Sequence, residues 1–259
     1  MSGPVHETLE RLALAEETAR ARKNLLSMVA HELRTPLAVL SGYLSMLEEG
    51  TMGPAPGNWE RPLKVLGEKA RHMTALVDDL LSLARLEGGA MVPVAEEVDL
   101  RQVLRQAMVR AAARAEALRA RLSYELPGEP MMVSADPAQV GSVVDNLINN
   151  ALHYASDAPR IQVALRSPEA DWAEIVVEDH GIGIAPTEHK HVFDHFTRLA
   201  DSATGPRAGT GLGLTIAREL AERNRGCLEL VCSAPGRGSV FRLRLPTIAP
   251  ALDLQAAAS

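Results

Sequence analysis

The chain has 259 residues, a length between one large domain and two modest ones, and two is the first expectation. Hydrophobic residues make up 46% and charged residues 23%, too apolar a mixture for a disordered chain; aromatics are only 3%, so the core must be built from Leu, Val, Ile, Ala and Met, which suits long helices better than an all-β sandwich. The net charge of −6 divides as ten basic against fourteen acidic residues before Asp99 and seventeen against nineteen from there on, so neither half reads as a nucleic-acid binder, and no apolar run approaches the ~18 residues of a membrane span.

No secretory leader is visible at the N-terminus, where Glu7, Glu10, Glu16 and Glu17 sit. Cys227 and Cys232 are too few for a disulfide framework; they read as buried filler in a reducing compartment. Residues 5–48 contain one glycine, Gly42, and one proline, Pro36, with apolar residues at helical intervals. Leu26, Val29, Leu33, Leu37, Leu40, Leu44 and Leu47 step by three and four, a seam in search of a partner helix, with Leu26, Leu33, Leu40 and Leu47 in the first heptad position and His31 pointing to solvent. On that helix lies His31-Glu32-Leu33-Arg34-Thr35-Pro36-Leu37. Glu32 can hold one imidazole nitrogen protonated and leave the other as a nucleophile, and Thr35, one turn on, can position water. Pro36 removes a helical hydrogen bond and bends the element beside an exposed histidine.

Gly50, Gly53, Pro54, Pro56 and Gly57 make a loop, and Pro62 suits the first turn of the next helix. Leu66, Ala70, Met73, Val77, Leu80 and Ala84 form its seam, and Gly88-Gly89 end it. One antiparallel hairpin with such narrow seams buries little, so two copies are expected to complete a dimeric four-helix bundle.

The pattern changes at residues 88–98. Residues 100–121 read as a helix with a basic, solvated side (Arg101, Arg105, Arg110, Arg114), 122–126 and 131–133 as strands, and 137–155 as a helix. On this last helix Asn146, Asn150, His153 and Tyr154 share one face; a merely solvated face would carry Lys and Glu, whereas amide oxygens suit a hard cation such as Mg²⁺ that also holds phosphate. Strands follow at 161–166 and 174–177, then Glu178-Asp179-His180-Gly181-Ile182-Gly183, where glycines let the backbone approach a ligand and a carboxylate can accept from an exocyclic amine. His189, His191, His195 and Asp194 lack the defined fourth ligand of a zinc site. Gly209-Thr210-Gly211-Leu212-Gly213-Leu214 runs into a helix at 210–225, an anion cradle that is neither a Walker loop nor a Rossmann fingerprint. Strands at 228–232 and 239–245 flank Pro235-Gly236-Arg237-Gly238, and residues 247–259 read as a frayed end. The second half is therefore an α+β layer with mostly antiparallel neighbours.

Taken in order, the His31 box, Asn146 to Tyr154, Asp179-x-Gly-x-Gly, Phe193-Asp194-His195-Phe196-Thr197-Arg198 and the Gly209 to Leu214 segment resemble the sensor histidine kinases of two-component signalling, over residues 23–246. The resemblance implies an all-α helical hairpin forming a dimeric four-helix bundle, followed by an α+β (α/β sandwich) Bergerat-type ATP-binding domain of the kind shared with gyrase and mismatch-repair ATPases. It divides the chain into a signalling-helix stub (1–22), a dimerisation and histidine-phosphotransfer domain (23–88), a linker (89–98), a catalytic ATP-binding domain (99–247) and a disordered tail (248–259).

It further implies that His31 is the phosphoacceptor, Glu32 its base or orienting partner, and Thr35 the residue associated with dephosphorylating a regulator. ATP and Mg²⁺ are the implied cofactors. Asn150 matches the magnesium ligand, Asn146 its helix neighbour and Tyr154 an adenine-side contact. Asp179 matches the adenine reader; Gly181, Gly183, Gly209, Thr210, Gly211, Leu212 and Gly213 match backbone lining the nucleotide, and Arg198 reaches its terminal phosphate. His153 stands where many relatives carry Lys or Arg, and His180 replaces a smaller polar residue, so phosphate contact at His153 is expected to be weaker or pH-dependent. The implied partners are a second copy of the chain and a cognate response regulator, with no nucleic acid and no membrane contact by this chain, in the cytoplasm or as the cytoplasmic part of an anchored sensor. A gyrase-type conformational ATPase leaves the His31 box unexplained, and a catalytically silent scaffold leaves Asn150, Asp179 and the glycines unexplained.

Overall fold

A computed structural model of the chain describes residues 29–30, 33–53, 56, 59–87, 91–154, 159–169, 171–195, 197 and 210–248. They fall into two compact units, one ending at Met91 and the other beginning at Val92.

The first unit is a helical hairpin of α1 (33–48) and α2 (Glu60–Glu87), with residues 29–30 also helical. Two clusters hold it: Ala30 and Leu37 pack with Val77 and Leu81, and Leu44 with Leu63 and Ala70. The buried rows Ala30–Leu37–Leu44 and Leu63–Ala70–Val77–Ala84 each repeat every seventh residue, the spacing that keeps one stripe of a helix on its neighbour. Of the expected seams, Leu37, Leu44, Ala70, Val77 and Ala84 lie in these rows. Leu33 (42% exposed) and Leu40 (52%) lie at the surface of the single chain, as do Leu66 (52%) and Met73 (48%), because one hairpin contact uses one row from each helix.

The second unit opens with β1 (Glu96–Asp99) and α3 (Leu100–Ala117), then β2 (Arg121–Glu125), β3 (Met132–Ala135) and α4 (Pro137–His153). It continues with β4 (Arg160–Glu169), β5 (Trp172–Asp179), α5 (Gly213–Arg223), β6 (Cys227–Ala234) and β7 (Gly238–Pro246). β1 and β3 pair antiparallel, and the main sheet has the order β2-β4-β5-β7-β6. Its pairs are antiparallel except β2–β4, which is parallel because α4 lies in the crossover between those strands.

Period-two alternation puts Ile161, Val163 and Leu165 of β4 with Phe241, Leu243 and Leu245 of β7 in the core, against the Val140, Val143, Val144, Leu147 and Ile148 face of α4. Central β5 is buried on both faces. Its Glu174, 2% exposed, is held by Arg166 (3.4 Å), Arg242 (3.4 Å) and Arg244 (3.2 Å) from β4 and β7, which keeps the charge compensated. Basic α3 proves structural: Arg110 pairs with Asp145 at 2.9 Å and Arg114 donates to Asn149 at 3.0 Å. The cysteines are not buried filler, for on β6 Cys232 is exposed and Cys227 half-buried.

Caps decide where two helices begin. The Asp99 carboxylate accepts from Arg101 N and also binds the Arg101 guanidinium; Asp136 accepts from Ala138 N and Gln139 N, with Pro137 in the first turn of α4. α5 has no side-chain cap, and it starts at Gly213 rather than Thr210 because Gly211 turns into the left-handed region (φ 71°). Asn224, 3% exposed just past α5, donates to Gln139 Oε1 (3.0 Å) and accepts from Asp136 N (2.7 Å). That link fixes the end of α5 at the start of α4. The start of α5 consequently lies beside the later turns of α4, where Gly213 leaves room for Asn146: a Cβ on Gly213 would sit 2.7 Å from Asn146 Oδ1.

Candidate functional site

α4, the end of β5 and the first turn of α5 converge on a pocket. Asn150, Ala151 and Tyr154 line it from α4 and its C-terminus, Asp179 from β5, and Ser239 and Phe241 from β7. Ile182, Gly183 and Ile184 follow β5, Val192 and Thr197 come from the next segment, and Leu214 from α5. The walls are mostly apolar, and the carboxyl group is Asp179, 8% exposed.

Register explains how Asp179 reaches the floor. It is the last residue of β5, opposite Ser239 of β7, on the face that carries Val177 and Ile175 into the core. Gly181 N donates to Asp179 Oδ1 at 2.8 Å, and the Ser239 backbone N–H donates to the carboxylate as well. Burial pushes the carboxyl above the ordinary aspartate range, against the pull of those two donors. The site therefore keeps a strong acceptor in an apolar setting, the arrangement that selects a ligand offering N–H groups on a flat apolar body.

The glycine loop after β5 is pinned to the β6–β7 turn. Gly236 N donates to Ile182 O (2.7 Å), Ile184 N donates to Ser233 Oγ (2.8 Å), and Ser233 Oγ in turn donates to Gly238 O (2.8 Å). Gly183 (φ 68°) lies so close to the hairpin that a Cβ would stand 1.8 Å from Ala234 O. Gly181 is equally confined, with a Cβ position 2.3 Å from Tyr154 O. These glycines thus serve close backbone packing that shapes the pocket, and Gly183 also lines it.

Of the other residues singled out in the sequence, Asn150 and Tyr154 line the pocket. Asn146 lies one turn away; its Nδ2 donates to Ser142 O at 3.0 Å. His153 is half-buried, with its ring edge-on to Tyr154 at 4.9 Å. Thr210 Oγ1 accepts from Leu212 N (3.3 Å), and the Leu212 side chain is fully buried, so this residue anchors the start of α5 in the core. Gly211 and Gly213 shape that start without lining the pocket. Thr35 is exposed on α1. His31, Glu32, Arg198 and Gly209 lie outside the described residues, as do the stub at 1–22 and nearly all of the tail. His189 Nε2 lies 3.1 Å from Ile184 O, and His191 Nδ1 lies 2.8 Å from Asp194 Oδ2.

Sequence reasoning did not assign Ser239, Phe241, Ala151, Ile182, Ile184, Val192, Thr197 or Leu214 to the site. The first two carried a usable signal: a strand that follows a Gly-rich hairpin and alternates Ser239, Phe241, Leu243, Leu245 presents that whole row to one face.

Two family models match the chain. Residues 21–89 match the His Kinase A (phospho-acceptor) domain, and residues 135–249 match the histidine kinase-, DNA gyrase B-, and HSP90-like ATPase. The chain is 33% identical over 244 residues to sensor histidine kinase MtrB of Mycobacterium tuberculosis, covering 93% of this chain and 42% of that protein. It is 33% identical over 242 residues to phosphate regulon sensor protein PhoR of Pseudomonas aeruginosa, covering 90% and 53%. The chain thus spans about half the length of these curated relatives. Among solved structures, full-length ShkA in complex with AMPPNP superposes with a TM-score of 0.70 at 25% identity, over 90% of this chain and 48% of that one. Acinetobacter baumannii histidine kinase AdeS, at TM-score 0.57 and 23% identity over 85% and 98%, shares the fold. Among the described residues no helix is long and apolar enough to cross a membrane.

Proposed function

Since this chain belongs to the sensor histidine kinases of two-component systems, we propose that its pocket binds ATP and that the γ-phosphoryl group passes to His31 and then to an aspartate of a response regulator. The observation that carries the nucleotide half is the buried Asp179 carboxylate on the floor of an apolar pocket, between Asn150 of α4 and the uncapped start of α5. Each part suits one part of the ligand. Asp179 accepts from the exocyclic amine of adenine, and Ile182, Ile184 and Phe241 offer apolar surface to its ring. The N–H groups at the start of α5 suit phosphate oxygens, as the resemblance carried by Gly209 to Gly213 implies. Asn150 suits Mg²⁺ through its amide oxygen, with Asn146 beside it; the ion supplies charge neutralisation at the phosphates.

His31 supplies the nucleophile. The imidazole nitrogen that bears a lone pair attacks the γ-phosphorus, the bond to the β–γ bridging oxygen breaks, and ADP leaves, while Glu32 accepts a hydrogen bond from the other, protonated nitrogen. Arg198 offsets charge on the terminal phosphate in this reading. The P–N bond formed is reactive, which suits onward transfer. Thr35, one turn from His31, orients the water that later removes the phosphoryl from the regulator.

Residues 23–88 act as the dimerisation and phosphotransfer domain, 99–247 as the ATP-binding domain, 89–98 as linker and 1–22 as the incoming signalling helix. The exposed Leu33, Leu40, Leu66 and Met73 support dimerisation: a second hairpin would cover the rows that one hairpin leaves open. The reading places both units in the cytoplasm.

Two tests address these halves. Asp179→Asn replaces an acceptor-only group by one whose NH₂ faces the Gly181 and Ser239 donors, so affinity for a non-hydrolysable ATP analogue should fall roughly 10- to 100-fold in calorimetry. Wild-type affinity should weaken on acidification, starting at a higher pH than an ordinary aspartate would impose, because the raised pKa means that the accepting, ionised form is lost earlier. An Asp179→Asn protein that binds like wild type would contradict the adenine assignment. For the regulator half, label on the kinase should move to a receiver-domain aspartate, and Thr35→Ala should slow its later loss about tenfold or more. Equal loss rates would remove Thr35 from the phosphatase step.

A further inference from the structure

Between the glycine loop and α5 runs a segment, 185–195 with Thr197, that contributes Val192 and Thr197 to the pocket yet has no helix or strand of its own. Its backbone bonds are local turns: Glu188 N to Ala185 O (2.9 Å), His191 N to Glu188 O (2.9 Å) and Asp194 N to His191 O (3.0 Å). Local turns set the shape of a strap but not where it lies. α5 and β7 hold the strap at Phe193.

We infer that Thr215 and Arg218 are positioning residues that latch this strap over the pocket by gripping Phe193 from α5. Thr215 sits in the first turn of α5 and is 6% exposed. Its Oγ1 donates to Phe193 O at 2.8 Å. One turn further along, the Arg218 guanidinium carbon stands 5.3 Å from the Phe193 ring centroid, within cation–π range. The same ring meets Phe241 of β7 edge-on, with centroids 6.4 Å apart and planes at 86°, and Phe241 is itself a pocket wall. The backbone and the ring of Phe193 are thus both held, the backbone by a partly buried hydrogen bond and the ring by a cation and an aromatic edge. Val192, the neighbour of Phe193, is buried and lines the pocket, so the grip transmits directly to the ligand wall.

The latch rests on the reading that the pocket binds ATP, and it adds that the strap must be held down for binding. Releasing Phe193 lets the strap spend part of its time away from the pocket, and apparent affinity falls by the fraction of molecules still latched. Because the latch springs from the first turn of α5, the helix start proposed to meet phosphate and the strap that closes one side of the pocket share a single anchor.

The test uses the full chain, a non-hydrolysable ATP analogue in calorimetry, amide hydrogen exchange over residues 185–195, and the melting temperature of the nucleotide-free protein. Thr215→Val keeps the shape and removes the donor; it should weaken analogue binding about 3- to 10-fold and accelerate exchange in the strap, with little change in melting temperature. Thr215→Ser restores the donor and should return affinity to within about twofold of wild type. Arg218→Met should weaken binding about 2- to 5-fold. Glu222→Gln, which removes the negative charge that Arg218 Nε meets at 3.0 Å, should bind like wild type. Unchanged affinity in Thr215→Val would overturn the latch and leave the nucleotide reading standing. A loss that tracks a fall in melting temperature without faster strap exchange would also overturn it, by making Thr215 a general stabiliser. Failure of the wild type to bind the analogue would overturn both. If Thr215→Val does not fold, Arg218→Met, at a half-exposed side chain, decides by the same criteria.

Discussion

Gly183→Ala should destabilise the second unit by more than about 3 kcal/mol and abolish nucleotide binding. Two penalties combine at this position. The backbone has φ 68°, where a side chain costs about 1–2 kcal/mol, and the new Cβ would lie 1.8 Å from Ala234 O and 3.2 Å from Gly238 O. Neither oxygen belongs to a flexible side chain, so relief requires the β6–β7 turn to separate from the loop after β5. Separation breaks the bonds from Gly236 N to Ile182 O and from Ile184 N to Ser233 Oγ, and with them the wall formed by Ile182 and Ile184. Gly236→Ala is the control. Its φ of 73° carries the same conformational penalty, but nothing lies within 4 Å of the added Cβ, so only about 1–2 kcal/mol should be lost. Denaturant unfolding of the two variants beside wild type measures the difference; equal stabilities for the two would show that close packing of the glycine loop does not shape the site.

Much of this site could be read before any coordinates. Asn150, Tyr154 and Asp179 announced themselves as polar residues on elements otherwise patterned for the core, and they line one pocket. What escaped was set by pairing between distant segments. Ser239 enters the pocket because β7 lies opposite Asp179 in register, a relation that no local pattern encodes. The start of α5 moved from Thr210 to Gly213 because Gly211 adopts a positive φ, which a glycine allows but does not demand. Asn224 and Gln139, 85 positions apart, meet only once α4 and α5 are antiparallel. In the hairpin the expected seams contained the buried Leu37, Leu44, Ala70, Val77 and Ala84, but which part of a seam one hairpin covers was not legible: Leu33–Leu40 and Leu37–Leu44 have identical composition, and the choice between them depends on which helix each row faces.

The second large effect concerns His31. Without the imidazole, neither Thr35 nor Glu32 can replace it: a hydroxyl one turn away lacks a nitrogen lone pair, and a carboxylate would form an acyl phosphate, which alkali hydrolyses. His31→Ala should therefore lose all phosphoryl incorporation and keep its affinity for the ATP analogue, because the pocket is built entirely from residues of the second unit. That separation distinguishes loss of the acceptor from loss of the fold.

Phosphoryl transfer to His31 is tested by incubating the purified wild-type and His31→Ala proteins with γ-labelled ATP and Mg²⁺, followed by acid and alkali treatment. The wild type should carry label that acid removes and alkali leaves in place, and His31→Ala none; label persisting on His31→Ala, or alkali-labile label on the wild type, would show that His31 is not the acceptor.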